Sequence, residues 1–375
     1  MRVGIVGGGQ LARMLALAGH ALGLDFAFLD PAPDACAAAL GRHLCGAYDD
    51  RRLLEALAAS SEVVTYEFEN VPADAVEFLA ARVAVQPNAR ALARARDRLA
   101  EKRLFTELGI PVLPYAAVDT REDLAGAADA VGFPAILKTR TLGYDGKGQA
   151  LVRDRAELEG AWERLGAVPA ILERFVAFER ELSVIAVRAQ GGEIRFYPLA
   201  ENTHRGGILR VSVSRPGDPQ QAAAEGHARR LAQALDYVGV LALELFEAEG
   251  RLLANEMAPR VHNSGHWTIE GAATSQFENH LRAILGLPLG DTRALGHAAM
   301  VNFIGAMPER ARVLAIPGAH LHDYRKRPRP GRKLGHATAR ATSPEALAPA
   351  LERLCALAEE TACAPGDGLR PVPRT

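Results

Sequence analysis

The sequence has little cysteine, no marked excess of charge of either sign and no long apolar run. Its four cysteines, Cys36, Cys45, Cys355 and Cys363, form no C-x-x-C pair, and a chain of 375 residues does not need disulfide bonds to stabilise its core. We therefore expect reduced thiols, as in a cytosolic protein. The net charge of −1 gives no sign of a nucleic acid or another polyanion as a partner.

The apolar segments are too short for a membrane protein. No stretch approaches the ~18–20 uninterrupted apolar residues that would cross a bilayer. The N-terminal segment MRVGIVGGGQ has one arginine and a short apolar run broken by glycines, unlike a secretory leader. We therefore expect a soluble, cytoplasmic protein that does not bind membranes. At roughly 100–200 residues per domain, the length predicts two or three domains.

Short strands and helices alternate at the start of the chain. Strands are predicted at 3–6, 25–29 and 62–66, with helices at 10–22 and 51–60 between them; a charged helix predicted at 91–108 follows this unit. This alternation predicts an α/β, Rossmann-like N-terminal domain with a parallel, doubly wound sheet. The sheet is expected to end near Gln86 and Pro87.

The middle of the chain has a mixed α+β pattern with hairpin turns. Strands are predicted at 134–138, 149–152, 170–174, 181–188, 194–199, 239–246 and 251–257, and helices at 155–165 and 220–235. From about residue 290 the turn-rich segments predict a small C-terminal lobe. The predicted domains are 1–90, 91–290 and 291–375.

A glycine-rich turn follows the first strand. Gly7 to Ala12 fits the pattern G-x-G-x-x-A, and Asp30 ends the second strand, which is typical of a loose dinucleotide-binding motif. Helix N-termini do attract phosphate. The alternative is a Rossmann-like half-domain whose turn borders another ligand. Nothing downstream resembles a hydride-transfer site, which favours the alternative.

A second glycine-rich segment carries lysines. Lys138 ends a predicted strand, and the loop 143–149 reads GYDGKGQ. Such a loop lets backbone N–H groups approach phosphate oxygens, and lysines supply compact positive charge. Phosphoryl transfer depends largely on this kind of positioning. The alternative is a glycine-rich hairpin with incidental lysines, and the loop alone does not decide between them.

Two glutamates lie on neighbouring strands of a predicted hairpin. If Glu244 lies opposite Ala254, then Glu244 and Glu256 point to the same face as diagonal neighbours. Carboxylates on an otherwise apolar face need compensation, which Mg²⁺ bound to ATP phosphates would supply. They could instead face solvent or pair with arginines. The phosphate-type loop upstream favours the metal.

Several polar segments are candidates for ligand binding. The segment 258–267 has little apolar periodicity and favours a loop that binds an anion or polar substrate, with a hydrogen-bonded surface loop as the alternative. Zinc at His262 and His266 is a weaker alternative, because Ser264 and Gly265 argue against a helix. The basic turn 330–336 could bind a substrate phosphate or be plain surface.

Two further segments follow predicted strands. Glu67 and Glu69 come at the carboxyl end of the third strand, where they could face a ligand or cap the next helix. His204, in the polar segment 201–207 that we predict to be a loop, could contact a nucleotide.

These segments together resemble the N5-carboxyaminoimidazole ribonucleotide synthetases, a family of ATP-grasp enzymes of purine biosynthesis. The resemblance rests on GGGQLARM, TYEFENVP, RDRLAEK, LKTRTLGYDGKGQ, ENTHRGGIL, NEMAPRVHNSGHWTIEGAATSQFENHLRAI and PGRKLGH. The GYDGKGQ loop and the run around HNSGHWT are the most specific, whereas the C-terminal end matches poorly. Ala12 stands where relatives usually have glycine.

The resemblance implies three lobes, a central ATP-grasp domain and a reaction that uses ATP, Mg²⁺ and bicarbonate. Bicarbonate would be phosphorylated to carboxyphosphate, which would carboxylate the amine of 5-aminoimidazole ribonucleotide. It also implies a homodimer.

Matching positions imply a role for each candidate residue. ATP phosphates would be held by Arg98, Lys138, Gly143, Tyr144, Asp145, Gly146, Lys147, Gly148 and Gln149. Adenine and ribose would contact Glu173, Arg174, Phe175, Val176 and Glu181, with His204 approaching the nucleotide. Glu244 and Glu256 would bind Mg²⁺ beside Asn255. Arg260, His262 and Asn263 would receive bicarbonate, and Asp145 would handle the amine proton. The ribonucleotide would contact Gln10, Glu67, Arg332 and Lys333, with its phosphate near the last two.

Two alternatives remain open. A different ATP-grasp ligase would keep the glutamate pair and the glycine loop but should lack HNSGHWT. A regulatory nucleotide-binding protein on the same fold would have little need for Glu244 and Glu256 alongside Arg260 and Lys333.

Overall fold

In the computed structural model, which describes residues 1–143 and 147–362, the chain forms three sheets that border one cleft. Within those residues, no helix combines the length and the apolarity needed to cross a membrane.

The first sheet is parallel, with strand order β3-β2-β1-β4-β5. Its elements are β1 (Arg2–Val6), α1 (Gln10–His20), β2 (Asp25–Asp30), β3 (Arg42–Cys45), α2 (Arg51–Ala59), β4 (Val63–Tyr66), α3 (Ala73–Ala80) and β5 (Ala84–Val85). Strands β1, β2 and β4 are almost wholly buried, as expected when helices cover both faces of a parallel sheet. The three predicted strands are confirmed, whereas β3 and β5 lack an apolar run and were not anticipated.

The single charged helix predicted at 91–108 is wrong, because two helices, α4 (Ala89–Arg96) and α5 (Arg98–Glu107), occupy this segment. They are separated at Asp97, whose backbone is extended. The Asp97 carboxylate accepts hydrogen bonds from Leu99 N (2.8 Å) and Ala100 N (3.3 Å) and thereby caps α5. This cap starts a new helix that points Arg98 towards the cleft.

A small antiparallel sheet with its own apolar core follows, in the order β6-β9-β7-β8. Its elements are β6 (Tyr115–Val118), α6 (Asp123–Val131), β7 (Ala135–Thr139), β8 (Gln149–Val152), α7 (Arg155–Arg164) and β9 (Ala170–Arg174). Lys138 is near the end of β7, and the glycine loop joins β7 to β8. Gly143 and Gln149, at the two ends of that loop, line the cleft.

The central sheet has the order β15-β14-β10-β12-β13-β16-β18-β17, with β11 paired to β10. Its strands are β10 (Arg180–Arg188), β11 (Ile194–Phe196), β12 (Leu199–Arg205), β13 (Ile208–Arg215), β14 (Gly239–Ala248), β15 (Arg251–Ala258), β16 (His297–Ile304), β17 (Ala319–Asp323) and β18 (Lys333–Ala341). The helices of this region are α8 (Gln221–Ala234), α9 (Thr268–Gly271), α10 (Gln276–Ile284), α11 (Arg310–Leu314) and α12 (Pro344–Ala362).

Two features of the central sheet differ from expectation. The strand predicted at 194–199 is divided between β11 and β12, and the loop predicted at 201–207 is wrong, because residues 201–205 continue β12. The sheet also crosses the boundary predicted at residue 290, since β16 pairs with β13 along Val211–Val213. The C-terminal segment thus extends the central sheet.

Candidate active site

The three sheets enclose a cleft of about 650 Å³. Many of the predicted site residues line it: Gln10, Glu67, Arg98, Lys138, Gly143, Gln149, Glu181, His204, Glu244, Asn255, Glu256, Arg260, His262, Asn263 and Lys333. Lys147 and Gly148 are described residues of the glycine loop that precede Gln149. Tyr144, Asp145 and Gly146 lie outside the described residues. Arg332 is not among the described residues that line the cleft.

Glu244 and Glu256 lie directly opposite each other on β14 and β15. The expected register, with Glu244 opposite Ala254, is wrong. A β-bulge after Glu244 shifts the pairing, so that Leu245 lies opposite Ala254. Directly opposed residues share a face of the sheet, so both carboxylates line the cleft.

Each of these carboxylates has a cationic or imidazole partner. Glu256 Oε2 lies 2.9 Å from Arg98 Nη1, and Glu244 Oε1 lies 3.0 Å from His262 Nε2. Burial would raise the pKa of Glu256, but the charge and hydrogen bond of Arg98 outweigh it and lower that pKa to about 2. Glu256 is therefore ionised at neutral pH and available to a cation.

A buried ionic cluster lies behind the cleft. Glu173 Oε2 is 3.1 Å from Lys138 Nζ and 3.3 Å from Lys102 Nζ, and Lys102 also donates to the Ala254 carbonyl (3.1 Å). Burial would raise the pKa of Glu173, but the two lysines lower it to about 2. Burial in turn lowers the pKa of Lys102.

Sequence reasoning missed Lys102, which is only 1% exposed. A lysine in a charged helix is typical of a solvated face. Lys102 belongs to the segment RDRLAEK, in which Arg98 is the only predicted site residue.

A smaller cavity of about 60 Å³ lies beside the cleft. Its lining combines Lys138 and Glu173 with mostly apolar neighbours: Leu113, Ile136, Arg174, Phe175, Val176, Phe178 and Phe246. Phe178 and Phe246 stack with ring centroids 4.7 Å apart. The cavity contains the segment 173–176, which we predict to contact adenine and ribose.

Glu181 and His204 pair through Oε2 and Nδ1 on adjacent strands of the central sheet. Burial would lower the pKa of His204, but its hydrogen bond and charge interaction with Glu181 raise it overall. Both side chains line the cleft.

The polar segment after β15 forms a short 3₁₀ turn, Asn263–Gly265. Arg260 Nε donates to Glu69 Oε2 at 2.7 Å, which joins this segment to the first sheet. Burial would raise the pKa of Glu69, but Arg260 lowers it overall. The segment thus presents Arg260, His262 and Asn263 to the cleft together.

Glu67 accepts hydrogen bonds from Gly9 N and from Ala12 N, the latter at 2.9 Å. It therefore caps α1, and the expectation that it might cap the next helix is wrong. A Cβ atom on Gly7 would lie 2.4 Å from Glu67 Cγ. The glycine turn accommodates this carboxylate at the helix N-terminus, where the dinucleotide motif would place a pyrophosphate.

Lys326, a basic residue in contact with Gln10 of the cleft, was not singled out from the sequence. Its Nζ donates to Gln10 Oε1, and burial lowers its pKa. Arg332 Nη1 donates to the Arg327 carbonyl at 3.3 Å. Of the basic segment 325–333, Lys326 thus reaches the start of α1 and Lys333 lines the cleft.

Glu101 is a buried carboxylate that the sequence did not single out. Its Oε1 accepts a 2.6 Å hydrogen bond from Met257 N. Burial and then the charge of Glu256 raise the pKa of Glu101 to about 8.

This raised pKa predicts a pH-dependent stability in metal-free buffer. The stabilising contribution is complete below the unfolded pKa of 4.5 and is lost as pH rises through about 8. We expect the free energy of unfolding to fall over this range by on the order of 1 kcal/mol or more. Glu101→Gln should reduce the fall, because glutamine is neutral yet still accepts from Met257 N. Urea unfolding with EDTA at several pH values measures this, and equal pH dependence in both proteins would contradict it.

The three sheets and the paired carboxylates define an ATP-grasp enzyme. An ATP-grasp domain model matches residues 103–277, a ribonucleotide synthetase preATP-grasp domain model matches residues 1–96, and a phosphoribosylaminoimidazole carboxylase C-terminal domain model matches residues 298–349.

Individual relatives identify which family of ATP-grasp enzymes the chain resembles. The N5-carboxyaminoimidazole ribonucleotide synthase of Pseudomonas aeruginosa is 57% identical over 96% of this chain and 100% of its own. The crystal structure of the synthetase from Thermus thermophilus has a TM-score of 0.91 at 54% identity, covering 97% of this chain and 100% of its own. The Aspergillus clavatus synthase, in complex with ADP and 5-aminoimidazole ribonucleotide, has a TM-score of 0.88 at 32% identity, covering 96% and 98%. The chain belongs to the N5-carboxyaminoimidazole ribonucleotide synthase family.

Proposed function

We propose that this protein catalyses the ATP- and bicarbonate-dependent carboxylation of 5-aminoimidazole ribonucleotide to N5-carboxyaminoimidazole ribonucleotide in purine biosynthesis. The main structural support is that one cleft combines the carboxylates of Glu244 and Glu256, the cations Arg98 and Lys138, and the polar turn after β15. A bicarbonate oxygen attacks the γ-phosphorus of ATP, the bond to the β–γ bridging oxygen breaks, and carboxyphosphate and ADP result. The substrate amine then attacks the carboxyl carbon, loses a proton and expels phosphate.

The carboxylate pair fits a magnesium ion shared with ATP. Mg²⁺ binds oxygen ligands and is usually held by one or two carboxylates together with substrate phosphates. Glu244 and Glu256 provide two carboxylates, and the described residues contain no group of three or more potential metal-ligating side chains. In our proposal these two glutamates hold Mg²⁺, which when bound neutralises charge on the phosphates, with Asn255 beside them.

The cations next to this pair suit the phosphates of ATP. Arg98 Nη2 donates to the Gly143 carbonyl at 3.4 Å, which brings the arginine to the start of the glycine loop. In our proposal Arg98, Lys138 and the loop 143–149 position the phosphates. The small cavity at 173–176 takes adenine, with Glu181 and His204 towards the ribose.

The remaining candidate residues suit the other two substrates. In our proposal Arg260, His262 and Asn263 receive bicarbonate and carboxyphosphate, with N–H donors from Arg260 and Asn263. Gln10, Glu67, Lys333 and Arg332 would hold the ribonucleotide, with its phosphate near the last two. Asp145, outside the described residues, remains our proposal for the amine proton.

We further propose that the protein is a homodimer in the cytoplasm, and that each chain is divided into domains near residues 90 and 290, with the central sheet continuing across the second boundary. The division near 90 is supported by the change from the first sheet to the helices α4 and α5. The family resemblance suggests the dimer. Cys36, Cys45 and Cys355 are free thiols, which suits a reducing compartment.

The test is ADP release with Mg²⁺, ATP and bicarbonate, with and without 5-aminoimidazole ribonucleotide. We expect ADP release that is coupled to formation of the carboxylated product only when bicarbonate and the ribonucleotide are both present. We also expect the label of labelled bicarbonate to enter the product. Formate with glycinamide ribonucleotide serves as a control pair of acceptors. ATP consumption only with such other acceptors would refute the proposed substrate.

A further inference from the structure

Asn302, on β16, forms a reciprocal pair of hydrogen bonds with Asn263. Asn302 Nδ2 donates to Asn263 Oδ1 at 2.8 Å, and Asn263 Nδ2 donates to Asn302 Oδ1 at 3.2 Å. Asn302 is only 1% exposed, whereas Asn263 lines the cleft. The buried amide thus contacts the cleft residue through both of its polar ends.

A backbone carbonyl fixes the orientation of both amides. Asn302 Nδ2 also donates to the Leu209 carbonyl at 2.9 Å. A flipped Asn302 would place its oxygen against that carbonyl, so its Nδ2 must face Leu209 and its Oδ1 must accept from Asn263. Asn263 therefore keeps its Nδ2 in one defined position, with one N–H beyond the pair.

The backbone of the turn is held by a different side chain. Gln276, which is fully buried, accepts from His262 N at 3.0 Å and donates to the His262 carbonyl at 2.7 Å. A Cβ atom on Gly265 would lie 2.7 Å from Gln276 Oε1. Because Gln276 already fixes the backbone, the contribution of Asn302 falls on the Asn263 side chain.

We propose that Asn302 is a positioning residue that orients the Asn263 amide to donate to bicarbonate and carboxyphosphate. This inference rests on the proposed function. Asn302 contacts no substrate itself and acts through Asn263. A strand of the C-terminal segment thereby determines the geometry of the carboxylation site.

Asn302→Leu tests this, because leucine has a similar size and no polar atoms. We expect kcat/KM for bicarbonate to fall about 10- to 100-fold, somewhat less than for direct loss of a transition-state donor. The KM for ATP should stay within about twofold, because the ATP-side residues are not contacted. More ADP should form per carboxylated product, because carboxyphosphate would be held less firmly.

Two comparisons distinguish a loss of Asn263 positioning from a general loss of structure. Asn279→Leu removes another fully buried amide, which contacts Tyr197 and Gly290 away from the cleft, and should leave the KM for bicarbonate unchanged. In an Asn263→Ala background, Asn302→Leu should add little further loss, since coupled residues are not additive. Should Asn302→Leu not fold, Asn302→Asp keeps the size and the acceptor but removes the donor.

The outcomes are distinct. If wild type shows no turnover dependent on bicarbonate and ribonucleotide, the proposed function itself fails. If wild type is active and folded Asn302→Leu or Asn302→Asp keeps its kcat/KM for bicarbonate, the positioning role is refuted. Multiplicative losses in the double variant refute it as well.

Discussion

Glu256→Gln is expected to lower kcat by at least about 100-fold, because a metal ion that stabilises phosphate charge supplies several kcal/mol and each 1.36 kcal/mol is about tenfold in rate. Glutamine keeps the size of the side chain but removes the ionised carboxylate, which lies opposite Glu244. It also removes the partner of Arg98. Steady-state ADP release at saturating ATP, over a range of Mg²⁺ concentrations, measures the loss.

Glu247→Gln is the matched control for this variant. Glu247 lies on β14, close in sequence to Glu244, but its carboxylate pairs with Arg180 rather than lining the cleft. We expect this variant to lose some stability and to keep kcat within about twofold. Equal losses in the two variants, or normal activity of Glu256→Gln, would exclude the metal role.

Lys102→Met is expected to lower the free energy of unfolding by about 3 kcal/mol, because it removes one partner of a buried ion pair. Glu173 would keep Lys138 alone, and the Ala254 carbonyl would lose its donor. The KM for ATP should also rise, since Glu173 and Lys138 both line the small cavity. Denaturant unfolding and ATP titration of the same preparation measure the two effects.

Two controls test whether the loss of stability in Lys102→Met comes from its ion pair with Glu173. Arg103→Met, one position further along α5 and exposed, should change stability by less than about 0.5 kcal/mol. In a Glu173→Gln background, Lys102→Met should cost at least about 1 kcal/mol less than in wild type. The same cost in both backgrounds would show that Lys102 acts independently of Glu173.

The sequence predicted the elements that contain apolar runs. Strands β1, β4 and β14 are nearly continuous apolar segments, and their positions were correct to within about two residues. Strand β12 was mistaken for a loop because polar residues interrupt its pattern. One of them, Asn202, is buried and hydrogen-bonded to Ser183 and Ser212 on the adjacent strands. Tertiary contacts, which local pattern does not reveal, make this polar segment a strand.

The candidate site was predicted where motif and chemistry agreed. The same-face placement of Glu244 and Glu256 is confirmed, but their register depends on a β-bulge that leaves no mark in the local sequence. Lys102 and Asn302 were missed for a related reason. Their importance comes from partners 71 and 39 positions away, Glu173 and Asn263, and no local pattern specifies such a pairing. The roles of the candidate residues remain predictions.

Because the central sheet continues into the C-terminal segment, β16 of that segment pairs with β13, which would otherwise be an exposed edge strand. Val211–Val213 of β13 pair with β16, so a chain ending near residue 290 would leave their N–H and C=O groups unpaired along a new sheet edge. Such an edge readily pairs with another chain, which favours self-association. Cutting the protein at the apparent domain boundary would therefore yield a fragment prone to aggregate.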